Sequence, residues 1–390
     1  MQQKVRQVHH RLQEYHISLT SKESIRSPII FLLHTVHLET FLQNIYKTSK
    51  MNIIPAFPAP DFGVIKWTLI DNKEINDVMI SLKDLKGKVI LLDCWTYTCI
   101  FCLRTIPIIK RLKEKYSKYG LVVISAHSYE YEFAKVNENI IRAIKKYDLN
   151  EIPIGFDIEN KLWKMYGNMY WPKHILIDRN GFVRYEHPGY GNIDEFEEAV
   201  IELLEENGNK ISEEKDVHNP IDEIYKIYGL QFPEIAPEIC VGYMRLKKFG
   251  NKHNIKREQD NNCVDDGNHQ ENQVYLKGNW FWGPEYIRVG RFDSMKDSSI
   301  TMRYKYARRV NAIIGVSDNE KGIVNVKIDG GFVNNVNGGK DLIVDKNATS
   351  HAEITWPFIY NLYKTDEKEA HEIEIIPKTD NIVFYTFVFG

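Results

Sequence analysis

From residue 89 to residue 206, short apolar runs rich in β-branched residues alternate with longer segments whose apolar residues recur every three or four positions. The short runs are typical of buried strands, and the longer segments are typical of amphipathic helices. The predicted strands are 89–95, 121–126, 152–156, 173–178 and 182–186, and the predicted helices are 100–118, 133–147, 159–166 and 194–206. Asn180-Gly181 predicts a hairpin turn between the last two strands. This order predicts a mixed α/β sheet covered by helices on both faces.

The pattern changes beyond residue 235, where short β-branched and aromatic runs are separated by Gly, Asn and Asp. Strands at such spacing predict an all-β sandwich, jelly-roll-like in character. The predicted strands are 274–276, 286–291, 299–306, 310–316, 323–328, 341–344, 353–363, 371–376 and 382–388. The stretch 250–272 is almost wholly polar, which predicts a long mobile loop.

Composition divides the chain into four segments. The first 50 residues carry seven Lys or Arg residues against three acidic ones, and the domain-like pattern begins only after Met51, which is an alternative start. We therefore expect residues 1–54 to be an N-terminal extension, 55–206 an α/β domain, 207–234 a polar linker and 235–390 a β domain.

Overall composition excludes several classes of protein. The 390 residues carry a formal net charge of -2, which argues against a nucleic-acid-binding protein, because phosphate binding needs a basic face. Five cysteines do not make a dense disulfide framework. No run reaches the roughly 18–20 apolar residues of a membrane helix, and no secretion signal is recognised. These features predict a soluble, cytoplasmic protein, with an extracytoplasmic location as the alternative.

Cys99 and Cys102 are the most informative residues, because they lie three positions apart between strand 89–95 and helix 100–118. The free N–H groups and macrodipole at a helix N-terminus favour the thiolate form of a cysteine there, and a thiolate attacks disulfides. A structural disulfide and half of a zinc site are the alternatives, although zinc wants four ligands and no second CxxC or His pair is evident. Leu103 stands where covalent haem attachment would require histidine.

The sequence around these cysteines resembles thioredoxin-fold proteins, especially TlpA-like and DipZ-like thioredoxin domains. The resemblance covers residues 55–206 and rests on the blocks 85–89, 93–107, 170–172 and 176–181. It implies a thioredoxin-like fold, with a mixed sheet flanked by helices, for this part of the chain.

The resemblance also implies roles for individual residues. Cys99 would be the attacking nucleophile, and Cys102, one turn deeper, would resolve the mixed disulfide. Asp93 matches the buried acid of thioredoxins and would accept the proton of Cys102. Trp171-Pro172 matches the cis-proline segment, whose backbone and apolar face would receive an extended substrate. Trp95 would pack beneath the site, as a substrate-side support or as core.

These roles imply a thiol–disulfide oxidoreductase that acts on protein disulfides or dithiols, as a reductant rather than an oxidant, with no bound cofactor and no metal. Its electrons would come from a separate donor, either a thioredoxin-reductase-like protein or a CcdA-like membrane protein. A thiol peroxidase is one alternative, since Thr96 fits that pattern, but Leu92 stands where the proline should be. A binding or scaffold module with an idle CxxC is another.

The predicted β domain resembles the domain that follows the thioredoxin domain in DipZ-like proteins, on the blocks 237–243, 278–280 and 387–390. Its tryptophans, Trp280, Trp282 and Trp356, would form a sugar-stacking platform if exposed and would fill the β-sandwich if buried. The domain itself would dock a substrate or partner protein, bind carbohydrate or only stabilise the neighbouring domain.

The remaining thiols and one histidine have plainer interpretations. Cys94 alternates with Asp93 and is expected to be a buried apolar side chain on the other face of its strand. Cys240 and Cys263 are expected to be independent free thiols, with Cys263 exposed in the polar loop, and a disulfide between them in an oxidising compartment is the alternative. His127 follows strand 121–126, where an additional active-site residue could lie, and is expected to be a solvated loop residue.

Overall fold

The structure is a computed structural model that describes residues 56–71, 74–208, 210–212, 229, 234–290, 298–318, 320–367 and 369–390. The expected extension 1–54 and most of the expected linker 207–234 lie outside the described residues. Among the described residues, no helix is both long and apolar enough to cross a membrane.

The N-terminal part, here called the α/β region, is built on one eight-stranded mixed sheet with the order β1-β8-β7-β4-β5-β6-β2-β3. Its strands are β1 (Phe57–Pro58), β2 (Lys66–Asp71), β3 (Glu74–Val78), β4 (Val89–Trp95), β5 (Leu121–Ser128), β6 (Ile154–Asp157), β7 (Lys173–Ile177) and β8 (Phe182–Pro188). The central strands β4, β5 and β6 run parallel, and the flanking strands pair antiparallel. This arrangement confirms the predicted mixed sheet.

Four helices accompany this sheet: α1 (Ile100–Tyr116), α2 (Asn137–Lys146), α3 (Lys161–Met165) and α4 (Ile193–Glu205). The predicted helix 133–147 is wrong at its start. A short 3-10 helix, Glu132–Lys135, comes first, and extended Val136 (φ -74°, ψ 118°) separates it from α2. The β-branched Val136 favours this extended backbone over a helical one.

Strand β4 separates two apolar layers, because all seven of its residues are buried and its side chains alternate between the sheet faces. Ile90, Leu92 and Cys94 belong to one core cluster, together with Leu162 of α3 and Trp67 of β2. Cys94 is 2% exposed, which confirms its prediction as a buried apolar side chain.

The C-terminal part, here called the β region, consists of two antiparallel sheets that share strand β11. Its strands are β9 (Ile239–Cys240), β10 (Asp260–Cys263), β11 (Val274–Trp282), β12 (Ile287–Val289), β13 (Ser299–Tyr304), β14 (Arg309–Val316), β15 (Gly322–Ile328), β16 (Gly331–Phe332), β17 (Ile343–Val344), β18 (Ser350–Ile354), β19 (Phe358–Lys364), β20 (His371–Pro377) and β21 (Ile382–Phe389). Strands β14 and β21 of one sheet lie against β18 and β15 of the other. The predicted all-β architecture is confirmed.

Gly278 lets strand β11 pass from one sheet to the other. Residues up to Lys277 pair with β13, whereas Gly278 and the residues after it pair with β10 and then β12. Gly278 has a φ of +81°, and a Cβ atom there would lie 2.5 Å from Oγ of Ser298. Glycine is required for both reasons, since a side chain would be strained and would clash.

Two predictions for the β region are wrong in detail. The stretch 250–272, predicted as a mobile loop, contains β10, which pairs with β11, and Cys263 is buried there at 3% exposure. The run 353–363 is two strands rather than one, since β18 ends at Ile354 and β19 begins at Phe358. Strand β10 was not predicted because it is an edge strand made mostly of polar residues. Strands β18 and β19 are separate because Pro357, which lies between them, cannot donate a hydrogen bond within a sheet.

Aromatic side chains from both regions meet in one cluster. The ring of Tyr97 lies 5.6 Å from that of Trp356 and 6.3 Å from that of Phe358, and Phe133 lies 4.6 Å from Tyr385. Trp280 and Trp282 are buried at 0% and 3% exposure, so both belong to the core of the β region. Trp356, the third tryptophan considered in the sequence, lies at the contact between the regions.

Candidate active site

The CxxC pair lies at the start of helix α1, a few residues after the end of strand β4. Cys99 is the N-cap residue of α1, its N–H donates to the carbonyl of Thr96 at 3.2 Å, and its own carbonyl accepts the first helical bond from Leu103. Cys99 is partly exposed and Cys102, one turn inside the helix, is 1% exposed, and the two thiols are not bonded to each other. The geometry presents one sulfur to the surface and keeps the other behind it.

Burial dominates the chemistry of Cys102. Desolvation raises the pKa of Cys102 well above its usual value, and a hydrogen bond and charge interaction with Cys99 and the charge of Asp93 add to this, against a backbone hydrogen bond with Thr96. Cys102 is therefore a protonated thiol at neutral pH, and it needs a proton acceptor before it can attack a disulfide.

Asp93 lies in β4 directly between two polar side chains of neighbouring strands. In the sheet register, Asp93 pairs with Ser125 of β5 and with His174 of β7. The Ser125 hydroxyl donates to Oδ2 of Asp93 at 2.5 Å, and Nε2 of His174 lies 3.4 Å from Oδ1. All three side chains are nearly inaccessible to solvent, and Asp93 itself is 4% exposed. The carboxyl is thus held in place, and its charge contributes to the raised pKa of the Cys102 thiol.

Trp171 and Pro172 form one flank of Cys99. The peptide bond between them is cis, and the Cys99 thiol points to the carbonyl of Trp171 at a sulfur–oxygen distance of 3.9 Å. The Trp171 ring stacks on Trp163 at 4.4 Å and donates from Nε1 to the Ser128 hydroxyl at 2.8 Å. These contacts fix a partly exposed indole beside the exposed thiol.

The rim of the site on the helix side is aromatic. Phe101, inside the CxxC motif, is partly exposed and stacks on Tyr190 at 5.2 Å. The Arg104 guanidinium lies over both rings, at 5.4 Å and 5.3 Å from their centres. Trp95, by contrast, is 1% exposed and packs edge-on against His127, so it lies beneath the site and presents no surface.

His127 is a correction to the sequence analysis, which expected a solvated loop. Strand β5 extends to Ser128, so His127 lies inside the sheet at 0% exposure, with its ring stacked on Tyr97 at 5.3 Å. Burial lowers the pKa of His127 to about 3, which leaves the imidazole neutral at physiological pH.

The other thiols are poorly suited to exchange chemistry. Desolvation raises the pKa of Cys94 to about 12 and that of Cys263 to about 12, and it also raises that of Cys240. Cys240 and Cys263 are separate free thiols, as predicted. In the part of the chain that the structure describes, no three His, Cys, Asp or Glu side chains are grouped so that they could hold a metal ion.

Ser125 and His174 were not predicted from the sequence, and neither was the burial of His127 as a neutral imidazole. Ser125 and His174 reach Asp93 only through strand register, across 32 and 81 positions of sequence. The one signal available was the position of His174, two residues after Pro172 in a strand predicted to neighbour β4. The structure brings the predicted residues Asp93, Cys99, Cys102, Trp171 and Pro172 into one neighbourhood.

Two family models match the chain. A model described as thioredoxin-like matches residues 87–183, and a model described as a thioredoxin-like C-terminal domain matches residues 236–390. The first covers the CxxC pair and the cis-proline segment, and the second covers the β region.

Curated proteins show the same relationship. The chain is 38% identical over 147 residues to Protein DipZ of Mycobacterium bovis, covering 37% of this chain and 20% of that protein. It is 32% identical over 157 residues to thiol-disulfide oxidoreductase ResA of Bacillus thuringiensis, covering 40% of this chain and 82% of ResA. It is also 25% identical over 297 residues to NHL repeat-containing protein 2 of Bos taurus, covering 74% of this chain and 36% of that protein. The chain thus spans about a fifth of the length of its DipZ relatives.

Among solved structures, a thiol:disulfide interchange protein of the thioredoxin family from Chlorobium tepidum is 19% identical. The alignment covers 39% of this chain and 98% of the other, with a TM-score of 0.32. The match to ResA extends over 82% of that protein. The chain therefore belongs to the thioredoxin-like family of thiol–disulfide oxidoreductases, in its TlpA-like and DipZ-like branch.

Proposed function

We propose that this chain exchanges disulfides with protein substrates through Cys99 and Cys102. The observation that carries the proposal is the pair itself, in which a partly exposed sulfur at a helix N-terminus lies in front of a buried, protonated one. Thiol–disulfide exchange needs an accessible thiolate and a second thiol that resolves the mixed disulfide.

The chemistry would run in two displacements. The Cys99 thiolate attacks one sulfur of the substrate disulfide, forms a mixed disulfide and releases the first substrate thiolate. Cys102 then loses its proton and attacks Sγ of Cys99, which forms the Cys99–Cys102 disulfide and releases the second substrate thiolate. The substrate is thereby reduced by two electrons and the CxxC pair is oxidised by two. A separate dithiol donor, thioredoxin-reductase-like or CcdA-like, would return the pair to the reduced state.

Asp93 is proposed as the proton acceptor for Cys102. Its charge contributes to the raised pKa of that thiol, so the two groups interact, and a shared proton would relieve the interaction. The Ser125 hydroxyl holds the carboxyl in place with a hydrogen bond, and His174 lies on its other side.

Trp171 is proposed as the contact for an extended polypeptide. Its main-chain carbonyl lies next to the nucleophile, where a substrate segment can pair with it as a short strand. Its indole would add apolar contact.

The direct test is substrate trapping with the Cys102→Ser variant. Without its resolving thiol, Cys99 should retain substrates as stable mixed disulfides, which mass spectrometry would identify after non-reducing separation. The Cys99→Ser/Cys102→Ser double variant is the matched control and should trap nothing. Equal recovery from both variants would contradict the proposal, and peroxide consumption that survives Cys102→Ser would favour a thiol peroxidase.

A further inference from the structure

A polar chain of contacts runs from the β region to the residue that precedes the nucleophile. The Thr98 hydroxyl donates to Oε2 of Glu130 at 2.8 Å. The other carboxylate oxygen of Glu130 accepts from Nη1 of Arg245 at 2.8 Å, and Nη2 of Arg245 donates to the main-chain carbonyl of Glu130 at 3.2 Å. Because Thr98 is bonded directly to Cys99, this chain ends at the active site.

Thr98 and Glu130, the two members of this series of contacts nearer to Cys99, are largely shielded from solvent. Thr98 is 2% exposed, and the side chain of Glu130 is 12% exposed against 41% for that of Arg245. A carboxylate so poorly hydrated depends on its hydrogen-bond partners, because an uncompensated buried charge is costly. Glu130 has two such partners, one from each region of the molecule.

Arg245 is itself held in a fixed position. Its guanidinium lies over the Tyr131 ring at 4.7 Å, and Nη1 also donates to the Tyr131 hydroxyl at 3.3 Å. The same nitrogen lies 3.3 Å from Sγ of Cys240. An arginine anchored by an aromatic ring and several acceptors retains its geometry better than a free surface side chain.

The aromatic contact between the regions presents Arg245 to this site. Tyr97 and Thr98 are adjacent, and Tyr97, at 0% exposure, packs against Trp356 and Phe358 of the β region. A second link joins the main-chain N–H of Glu132 to Oε2 of Glu285 at 2.9 Å. The loop before Cys99 and the loop after β5 are thus both in contact with the β region.

We propose that Arg245 is a positioning residue for Cys99, and that it acts through Glu130 and Thr98 so that the β region completes the active site of the α/β region. This inference rests on the proposed function, since it assigns Arg245 to the thiol chemistry of Cys99. Arg245 fixes the Glu130 carboxylate, which fixes Thr98, and its positive charge offsets the negative charge of this carboxylate, which contacts the residue before the nucleophile. Without that offset, Glu130 opposes formation of the Cys99 thiolate.

Other charged and titratable groups face this arrangement. On the side of Glu130 and Arg245 they are Tyr131, Glu132, Lys135, Glu238, Cys240 and Glu285, and on the side of Cys99 they are Cys102 and Asp93. Most of these groups are acidic when ionised. Lys135 pairs with Glu132, and among the described residues Arg245 is the cation paired with Glu130, so its removal leaves the local charge more negative.

The test measures alkylation of Cys99 by iodoacetamide from pH 5 to pH 9 in the full chain. Tandem mass spectrometry of the peptide that carries Cys99 separates its modification from that of the other thiols. The variants are Arg245→Met, Arg245→Lys, Glu130→Gln and the Arg245→Met/Glu130→Gln double variant. Lys321→Met is the matched control, because the Lys321 side chain is 50% exposed against 41% for Arg245 and it pairs with Glu353 elsewhere in the β region.

Arg245→Met is expected to slow alkylation at pH 7 by about three- to tenfold and to move the pH profile up by about 0.5–1 unit. Arg245→Lys should retain most of the rate. Glu130→Gln keeps an oxygen that can accept the Thr98 hydrogen bond and removes the charge, so it should react at least as fast as wild type. In the double variant it should restore the rate to within about twofold of wild type, because the uncompensated carboxylate is gone. Lys321→Met should leave the profile unchanged.

Two results would overturn the inference: a wild-type profile for Arg245→Met, or a double variant that is slower than Arg245→Met. Thermal unfolding of each variant identifies misfolding, and loss of folding by Arg245→Met and Arg245→Lys alike, with no rescue by Glu130→Gln, would also count against it. If wild-type Cys99 reacts no faster than free cysteine, the proposed function fails instead, so the two failures are distinguishable.

Discussion

Cys99 has two flanks that differ in what they leave open. The proline flank, formed by Trp171 and Pro172, offers a main-chain carbonyl and a partly exposed indole from within the α/β region. The β-region flank, formed by Tyr97, Thr98 and Glu130, is closed by aromatic and ionic contacts with the second half of the molecule. A partner protein can therefore approach along the proline flank, whereas the β-region flank is already occupied by the chain itself.

This difference assigns separate tasks to the two flanks. Groups on the proline flank can change how strongly a substrate binds, since a substrate touches them. Groups on the β-region flank can change the reactivity of the sulfur or the stability of the fold, since the β region largely covers them. The floor beneath both flanks, where Asp93 lies, should affect the chemical step alone.

Asp93→Asn is expected to have the largest effect, since it removes the proposed proton acceptor of Cys102 and leaves the shape of the site. General acid–base groups contribute about 10²- to 10⁴-fold, so we expect turnover in dithiothreitol-driven insulin reduction to fall by about 100-fold at pH 7. Burial raises the pKa of Cys102, so the loss should shrink as the pH rises and bulk base replaces the carboxylate.

Cys94→Ala is the control for Asp93→Asn, because the two residues are adjacent in β4 but lie on opposite faces of the sheet. It should leave turnover unchanged. Wild-type turnover by Asp93→Asn at pH 7 would rule out Asp93 as the acceptor and would move attention to His174, its neighbour in β7.

The proline flank could be predicted from the sequence because its signals are local. The CxxC spacing, the Trp171-Pro172 dipeptide and the strand before Cys99 each lie within a short segment, and the structure has the cis bond that the family resemblance implies. The strands and helices of the α/β region likewise follow short-range periodicity, which is why most of their bounds lie within a few residues of prediction.

The β-region flank could not be predicted, because its contacts are long-range. Glu130 and Arg245 are 115 positions apart, and nothing in either local pattern indicates that they meet. His127 was expected in a loop because a polar residue after an apolar run is typical of a strand end. Its burial depends on Tyr97, whose position depends in turn on the β region. Strand β10 was missed for a similar reason, since its polar residues become a strand only by pairing with β11.

His127 provides a stability test of the β-region flank. Its pKa is lowered from 6.5 to about 3 by burial, so the unfolded chain binds a proton between these values that the folded chain does not. Stability is therefore fully present above about pH 6.5 and is lost as the pH falls toward 3, with about 2 kcal/mol lost by pH 5. Urea unfolding of His127→Phe at pH 7.5 and pH 5 should show a loss smaller than that of wild type by this amount.

The comparison for His127 is His187→Phe, on the other side of Asp93. Burial lowers the pKa of His187 to about 4, with the charge of His174 as a smaller cause, so its contribution is lost over the same window from pH 6.5 downward. Each variant should remove its own contribution to the loss of unfolding free energy at low pH, and the two contributions should add, because the residues do not touch. A His127→Phe variant whose stability falls in parallel with wild type would show that His127 becomes protonated without unfolding, and the β-region flank would then be looser than its burial implies.

Trp171→Ala is expected to give the smallest effect and the clearest separation of the two flanks. Loss of an apolar contact next to the nucleophile should lower kcat/KM for a protein disulfide by about tenfold, mainly through KM, because truncation of a contacting tryptophan typically costs 1 kcal/mol or more, about 1.4 kcal/mol here. The rate with a small aromatic disulfide, which is too short to reach the indole, should stay within about twofold of wild type. Trp356→Ala is the matched tryptophan on the β-region flank, and any change it causes should be equal for the two substrates. If Trp171→Ala lowers both rates equally, the indole supports the fold of the site rather than the substrate, and the two flanks do not differ in the way proposed.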